Sequence, residues 1–221
     1  MKLKRQNENC VIMVKEGEKM KNNYIIIGDS IAYGIGDQID GGSTGMLKKY
    51  AIGRPYSPKD AMRIHVAAYP GITSSELLPK LKNIIKTFYD HEMLNTVIVA
   101  VGINDTKVKN NKSVVNIEDY KNNIIEMINI INENYCDSLF IGLTNIVADN
   151  GKLTFDGDKN YINKVIEKYD DTLEQICKNS GIKYLKTNGI LKYEDIDDGL
   201  HPSNLGHKKI YKKVFKEICK E

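Results

Sequence analysis

The stretch Tyr24-Ile25-Ile26-Ile27-Gly28-Asp29-Ser30 constrains this chain more than any other. A short run of β-prone apolar residues suits a strand buried on both faces, and Gly-Asp-Ser directly after it suits a tight turn at the strand's carboxyl end. A serine hydroxyl is thereby placed on the rim of a sheet, outside the strand ends, where ligands and chemistry sit in open α/β folds. Gly, Asp and Ser are also ordinary turn residues. A chemical role for Ser30 therefore requires a base, an orienting acid and oxyanion donors elsewhere in the chain.

Downstream, strands and amphipathic helices alternate. Residues 63–69 read as a second strand, ended by the Pro70-Gly71 turn. Thr73 or Ser74 can cap the helix that follows, in which Leu77, Leu78, Leu81, Ile84, Ile85 and Phe88 recur at spacings of three and four on one face. Residues 95–101 form another compact apolar strand and close on Gly102-Ile103-Asn104-Asp105. Tyr120, Ile124, Met127, Ile128 and Ile131 mark the next helix, and residues 138–143 the fourth strand. A long helix reaching about Asn179 ends at Gly181. Residues 182–185 give a fifth strand and residues 203–219 the last helix. The glycine-rich passage over 34–45 is too irregular for a long helix and allows a short one over 45–50; residues 145–159 are polar and read as a loop. This alternation predicts a parallel sheet of about five strands covered on both faces. It fills a single domain over residues 23–221, preceded by a loosely ordered extension over residues 1–22. Met20, just before the first convincing strand, offers an alternative start to Met1.

Composition narrows the function classes. A chain of 221 residues, 41% hydrophobic and 28% charged without low-complexity tracts, suits one soluble globular domain. A net charge of +3 is too small to imply nucleic-acid or membrane partners. The lysine series of the last helix, from Lys208 to Lys220, reads as a solvated face. Cys10, Cys136, Cys177 and Cys219 form no CxxC or CxxxC pair of the kind a zinc site uses, so they read as thiols. With no secretory signal and no membrane span, a cytoplasmic location is expected. The glycine-rich passage matches neither phosphate-cradling motif, G-x-x-x-x-G-K-[ST] or G-x-G-x-x-G, and reads as an active-site rim.

A serine becomes a useful nucleophile when a base accepts its proton and a carboxylate holds that base in the right tautomer. Asp198-Gly199-Leu200-His201 offers both within four residues, in a loop where Gly199 permits a tight bend and Pro202 favours extended backbone at His201. A carboxylate three residues before the ring can turn toward Nδ1 and leave Nε2 for Ser30; this spacing selects Asp198 over Asp195 and Asp197. His65, His91 and His207 lack such an arrangement, and His207 reads as a surface or packing residue. Acyl transfer also needs donors aimed at a tetrahedral oxyanion. The backbone N–H groups of Ser30 and Gly71 and the side-chain amide of Asn104, each at the end of a different strand, supply three.

Together, Gly28-Asp29-Ser30, Gly71, Gly102-Ile103-Asn104-Asp105 and Asp198-Gly199-Leu200-His201 resemble, in order and spacing, the four blocks of the SGNH hydrolase superfamily, also called GDSL esterases and lipases. The resemblance covers about residues 23–221. It implies a flavodoxin-like three-layer α/β/α sandwich and a metal-free serine ester hydrolase without cofactors. Ser30 would be the nucleophile, His201 the base and Asp198 its orienting acid. Ser30, Gly71 and Asn104 would form the oxyanion hole, with Asp29 and Gly102 in support. The implied substrate is a small-molecule ester: an acyl lipid, a thioester or an acetylated sugar. Acyl transfer to another alcohol, carbohydrate O-deacetylation and a non-catalytic binding module are the alternatives on the same fold. A flavin- or nucleotide-binding flavodoxin-like protein is a further rival, and it leaves Gly28-Asp29-Ser30 unexplained. The chain departs from the family pattern at Ile31, where Leu is usual. It departs again at Tyr69 and Ser74, where Asn and a second Gly are frequent. Residues 31–62, 106–117 and 145–158 are the loops expected to wall the pocket. The oligomeric state stays open.

Overall fold

Burial follows the alternation of the isoleucine run: Ile25 and Ile27 pack on one face of a sheet, Tyr24 and Ile26 on the other. The computed structural model describes residues 2–7, 10–14, 21–54, 61–155 and 159–219. In chain order the elements are β1 (Lys2–Asn7), β2 (Cys10–Val14), β3 (Asn22–Gly28), α1 (Ser30–Tyr33), α2 (Gly42–Gly53), β4 (Met62–Ala68), α3 (Ser74–Phe88), β5 (Leu94–Ala100), β6 (Val108–Lys109), β7 (Lys112–Ser113), α4 (Ile117–Glu133), β8 (Asp137–Ile141), β9 (Lys152–Phe155), β10 (Lys159–Ile162), α5 (Asn163–Asn179), β11 (Lys183–Leu185) and α6 (Asn204–Ile218). Five of the strands form one sheet in the order β11-β8-β5-β3-β4, and every pairing in it is parallel.

Helices cover both faces and make three layers. Ile25, Ile27, Val97 and Val99 meet Leu77, Leu81 and Ile85 of α3, Ile124 and Ile128 of α4, and Ile166 and Leu173 of α5. On the opposite face Tyr24, Ile26 and Ile98 meet Leu47 of α2 and Ile210 and Val214 of α6. Each fully buried isoleucine contributes roughly 1.5–3 kcal/mol over an exposed one. A parallel sheet needs this cover because both faces of its strands are apolar. The expected helical stripes are present: Tyr120, Ile124, Met127, Ile128 and Ile131 are the buried residues of α4. The α3 stripe starts at a capping box, with the Thr73 side chain accepting from the Glu76 N–H and the Glu76 carboxylate accepting from the Thr73 N–H.

Three stretches differ from expectation. The glycine-rich passage yields a helix of 12 residues, longer than a short one over 45–50. Its glycines serve as the entry: Gly41 and Gly42 adopt φ of 72° and 77°, and the Gly42 N–H is held by the Asp37 carboxylate at 3.0 Å. The loops over 106–117 and 145–159, together with residues 160–162 where the long helix was expected to begin, supply four short strands that join in a second, antiparallel sheet of order β7-β6-β10-β9. Strands of two to four residues are too short to display alternation. Within the extension expected over residues 1–22, the backbones of β1 and β2 pair antiparallel, Asn22 already belongs to β3, and residues 15–20 lie outside the described ones. Among the described residues, no helix is long and apolar enough to cross a membrane.

Candidate active site

Gly28, the last residue of β3, sits where a side chain has no room: a Cβ there would lie 2.4 Å from the Ala100 carbonyl oxygen and 2.6 Å from the Ala32 Cβ. The chain can therefore fold straight from the strand into α1. Asp29 caps that short helix by accepting the Ile31 N–H at 2.9 Å. Ser30 follows, buried at the carboxyl edge of the sheet. Hydrogen bonds from the Asp29 N–H to the Ala100 carbonyl (3.2 Å) and from the Tyr69 N–H to the Gly28 carbonyl (2.9 Å) align the turns after β3, β4 and β5 side by side.

The loop before α6 brings the base to this edge. Gly199 has φ +86°, and a Cβ on it would stand 2.9 Å from the Leu153 side chain of β9 and 3.0 Å from the Val147 carbonyl oxygen. The tight bend lets one oxygen of Asp198 accept the backbone N–H groups of Leu200 (2.9 Å) and His201 (2.7 Å). The other carboxylate oxygen lies 2.6 Å from His201 Nδ1, and His201 Nε2 lies 2.9 Å from Ser30 Oγ. A carboxylate only accepts, so Nδ1 carries a proton; in the neutral ring Nε2 is then the acceptor and the Ser30 hydroxyl donates to it. Burial raises the Asp198 carboxyl, but the bonds from the His201 ring and the two N–H groups outweigh it and hold the group below the usual carboxylate range. Asp195 faces elsewhere: it accepts the Lys192 N–H at 2.8 Å and pairs with Lys209. The Asp197 backbone N–H donates to the His201 carbonyl at 3.2 Å.

The predicted oxyanion donors are linked to each other. Tyr69-Pro70-Gly71-Ile72 is a turn closed by the Ile72 N–H on the Tyr69 carbonyl at 3.1 Å, with Gly71 at φ +82°, the conformation that favours glycine at the third position. Asn104, 2% exposed at the start of a one-turn helix after β5, donates from Nδ2 to the Ile72 carbonyl at 3.0 Å. Gly102 precedes it at φ +134°, where a Cβ would come within 2.8 Å of the Tyr120 hydroxyl.

A family model described as GDSL-like Lipase/Acylhydrolase family matches residues 26–209. The chain belongs to that family. It is thus related to ester-bond hydrolases, and solved structures with the same fold include several of them. An alpha/beta hydrolase enzyme from the metagenome of Lake Arreo is 17% identical, with a TM-score of 0.68 over 89% of this chain and 94% of that one. An acetyl xylan esterase from Geobacillus stearothermophilus is 16% identical, with a TM-score of 0.68 over 91% and 96%. A lipase/acylhydrolase from Enterococcus faecalis is 16% identical, with a TM-score of 0.67 over 89% and 95%. At such identities these likenesses show the fold. No curated protein matches the sequence.

Ser74, where GDSL-type chains often carry glycine, has a partner here. Its backbone N–H donates to both oxygens of Asp105, at 3.1 and 3.0 Å, and its hydroxyl donates to the same carboxylate. Asp105 is fully buried, and burial pushes its carboxyl up to about 6 against those bonds. Burial likewise raises Asp29, to about 7, with the nearby Asp105 adding to the effect.

Two residues beside the site hold contacts that sequence reasoning did not assign. His207 is wholly buried; its Nδ1 accepts the Ser43 N–H at 3.2 Å and its Nε2–H donates to the Ile35 carbonyl at 2.9 Å, pinning the 34–43 segment to α6. Burial lowers its pKa, which keeps the ring neutral for both bonds. The second is Tyr161 of β10, whose hydroxyl lies 3.0 Å from Asn104 Oδ1. It lies just past the polar loop read over 145–159, where no pattern signalled a buried residue.

Proposed function

We propose that this chain is a serine ester hydrolase that cleaves a small-molecule carboxylic ester through an acyl-enzyme on Ser30. One observation carries the reading: the unbroken hydrogen-bonded chain Ser30 Oγ, His201 Nε2, His201 Nδ1, Asp198, at 2.9 and 2.6 Å. As Ser30 Oγ attacks the carbonyl carbon, Nε2 takes its proton and Asp198 stabilises the imidazolium. The carbonyl π electrons move to oxygen, and the Ser30 and Gly71 backbone N–H groups and the Asn104 amide donate to the resulting oxyanion. Collapse of the tetrahedral species breaks the ester C–O bond, and the departing alcohol takes the proton from Nε2. Water then attacks the acyl-enzyme with His201 as base, releasing the acid and restoring Ser30. Asp29 caps the helix that presents the nucleophile, and Gly102 gives Asn104 its turn.

A panel of acyl esters of graded chain length, run beside acetylated sugars with Ser30→Ala as control, tests the reading. Turnover of at least one member by the native protein and none by the variant is the expected result. Equal rates in both would remove Ser30 from the chemistry.

A further inference from the structure

Asn104 needs one particular orientation to act as an oxyanion donor, and a carboxamide can flip. Two groups bear on it. The Ile72 carbonyl can only accept, so the nitrogen end must face it, at 3.0 Å. The oxygen end then faces the Tyr161 hydroxyl, also at 3.0 Å, and Tyr161 is the donor in that bond. One Nδ2 proton is spent on Ile72, and the other is the one an oxyanion would take.

Tyr161 is 1% exposed and lies 57 residues along the chain from Asn104. The second sheet brings the two together. Asn160 of β10 pairs with Val108 of β6, and β6 follows the one-turn helix that begins at Asn104. The Lys107 ammonium stands 5.8 Å from the centroid of the Tyr161 ring, holding the ring between the turn and the strand. Phenylalanine would fill the same space without the hydroxyl, so what tyrosine adds at Asn104 is this hydrogen bond. Accepting a hydrogen bond at Oδ1 also draws electron density from the amide and makes the remaining N–H a stronger donor.

We propose that Tyr161 is a positioning residue for catalysis, which locks the Asn104 carboxamide with its free N–H toward the oxyanion and polarises it. The small antiparallel sheet would then be the support that brings this hydroxyl to the oxyanion hole. The proposal rests on the reading of Asn104 as an oxyanion donor.

A double-mutant cycle separates the two. Tyr161→Phe, Asn104→Ala and the double variant are compared for kcat and KM on one ester, with thermal unfolding as the check of structure. Asn104→Ala should lower kcat about 10²–10³-fold, the usual cost of one oxyanion donor, and Tyr161→Phe about tenfold with KM changed less than about twofold. In the Asn104→Ala background the Tyr161 effect should vanish, because nothing is left to orient. Losses that multiply would overturn the proposal, as would full kcat in Tyr161→Phe while Asn104→Ala is crippled. Full kcat in Asn104→Ala would overturn the oxyanion reading itself and the proposal with it. If Tyr161→Phe does not fold, 4-fluorophenylalanine at position 161 occupies the volume of the hydroxyl without donating, and the same outcomes decide.

Discussion

Asp105 grips Ser74 through both its backbone N–H and its hydroxyl, so the turn after β5 is fastened to the first turn of α3. The carboxylate that does this is fully buried and close to Asp29, whose carboxyl is buried too. The two turns that carry Gly71 and Asn104 are therefore joined twice, once through Asp105 and Ser74 and once through Asn104 and the Ile72 carbonyl.

This burial makes stability depend on pH. The Asp105 carboxyl titrates near 6 in the folded protein and near 3.8 otherwise, so between those values the folded chain holds a proton that the unfolded chain has released. Its contribution is full below about 4 and is lost as pH rises through 6. Asparagine at this position removes the dependence. The unfolding free energy of the native protein minus that of Asp105→Asn should fall by roughly 3 kcal/mol between about pH 4 and pH 7, from a shift of about two units. Chemical denaturation at several pH values measures it, and a difference that widens toward neutral pH would contradict the assignment.

Two glycines with positive φ should respond unequally to a methyl group. At Gly36, φ +93°, a Cβ would lie 2.2 Å from the carbonyl oxygen of Pro202, the residue after His201. At Gly71, φ +82°, nothing lies within 4 Å of it. Left-handed backbone costs a non-glycine residue about 1–2 kcal/mol, and Gly71→Ala should lose no more than that. Gly36→Ala bears the clash in addition and should lose about 3 kcal/mol or more, with kcat reduced as the His201 peptide is displaced. Thermal melts of the pair decide; equal losses would mean that the contact of Gly36 with Pro202 is slack.

The acid of the proposed triad is separable from its neighbours. Replacing the orienting Asp by Asn in a serine protease costs about 10⁴ in kcat through the wrong imidazole tautomer. Here the bonds from the Leu200 and His201 N–H groups to Asp198 help to hold the loop. Asp198→Asn should cost at least about 10² in kcat, against less than about threefold for Asp197→Asn. Rates of the two folded variants on one ester test this. A crippled Asp197→Asn beside a healthy Asp198→Asn would reassign the acid while leaving Ser30 and His201 in place.

What was legible in the sequence is what is local or periodic. The run Tyr24 to Ile27 announces a strand by itself, α3 and α4 repeat their leucines and isoleucines at helical spacing, and Asp198 and His201 contact each other across three residues. Asn104 could be placed at the carboxyl edge of the sheet because it follows a strand. Tyr161 could not, because its only relation to Asn104 is a contact made by strands of two and four residues with no alternation to detect. The length of α2 was hidden for a different reason. Glycine counts against a helix by propensity, whereas Gly41 and Gly42 provide left-handed backbone at its entry and Asp37 holds the Gly42 N–H there. Nor did any local pattern show that His207 spends both ring nitrogens on the segment over 34–43.

The most direct measurement is labelling by a serine-directed phosphonate probe, followed by mass spectrometry of the modified peptide. Among the described residues, only Ser30 has a base at 2.9 Å and a carboxylate behind that base. A single adduct on Ser30, absent from Ser30→Ala and strongly slowed in a folded His201→Ala variant, is the predicted result. Labelling that persists unchanged in Ser30→Ala would contradict the account at its centre.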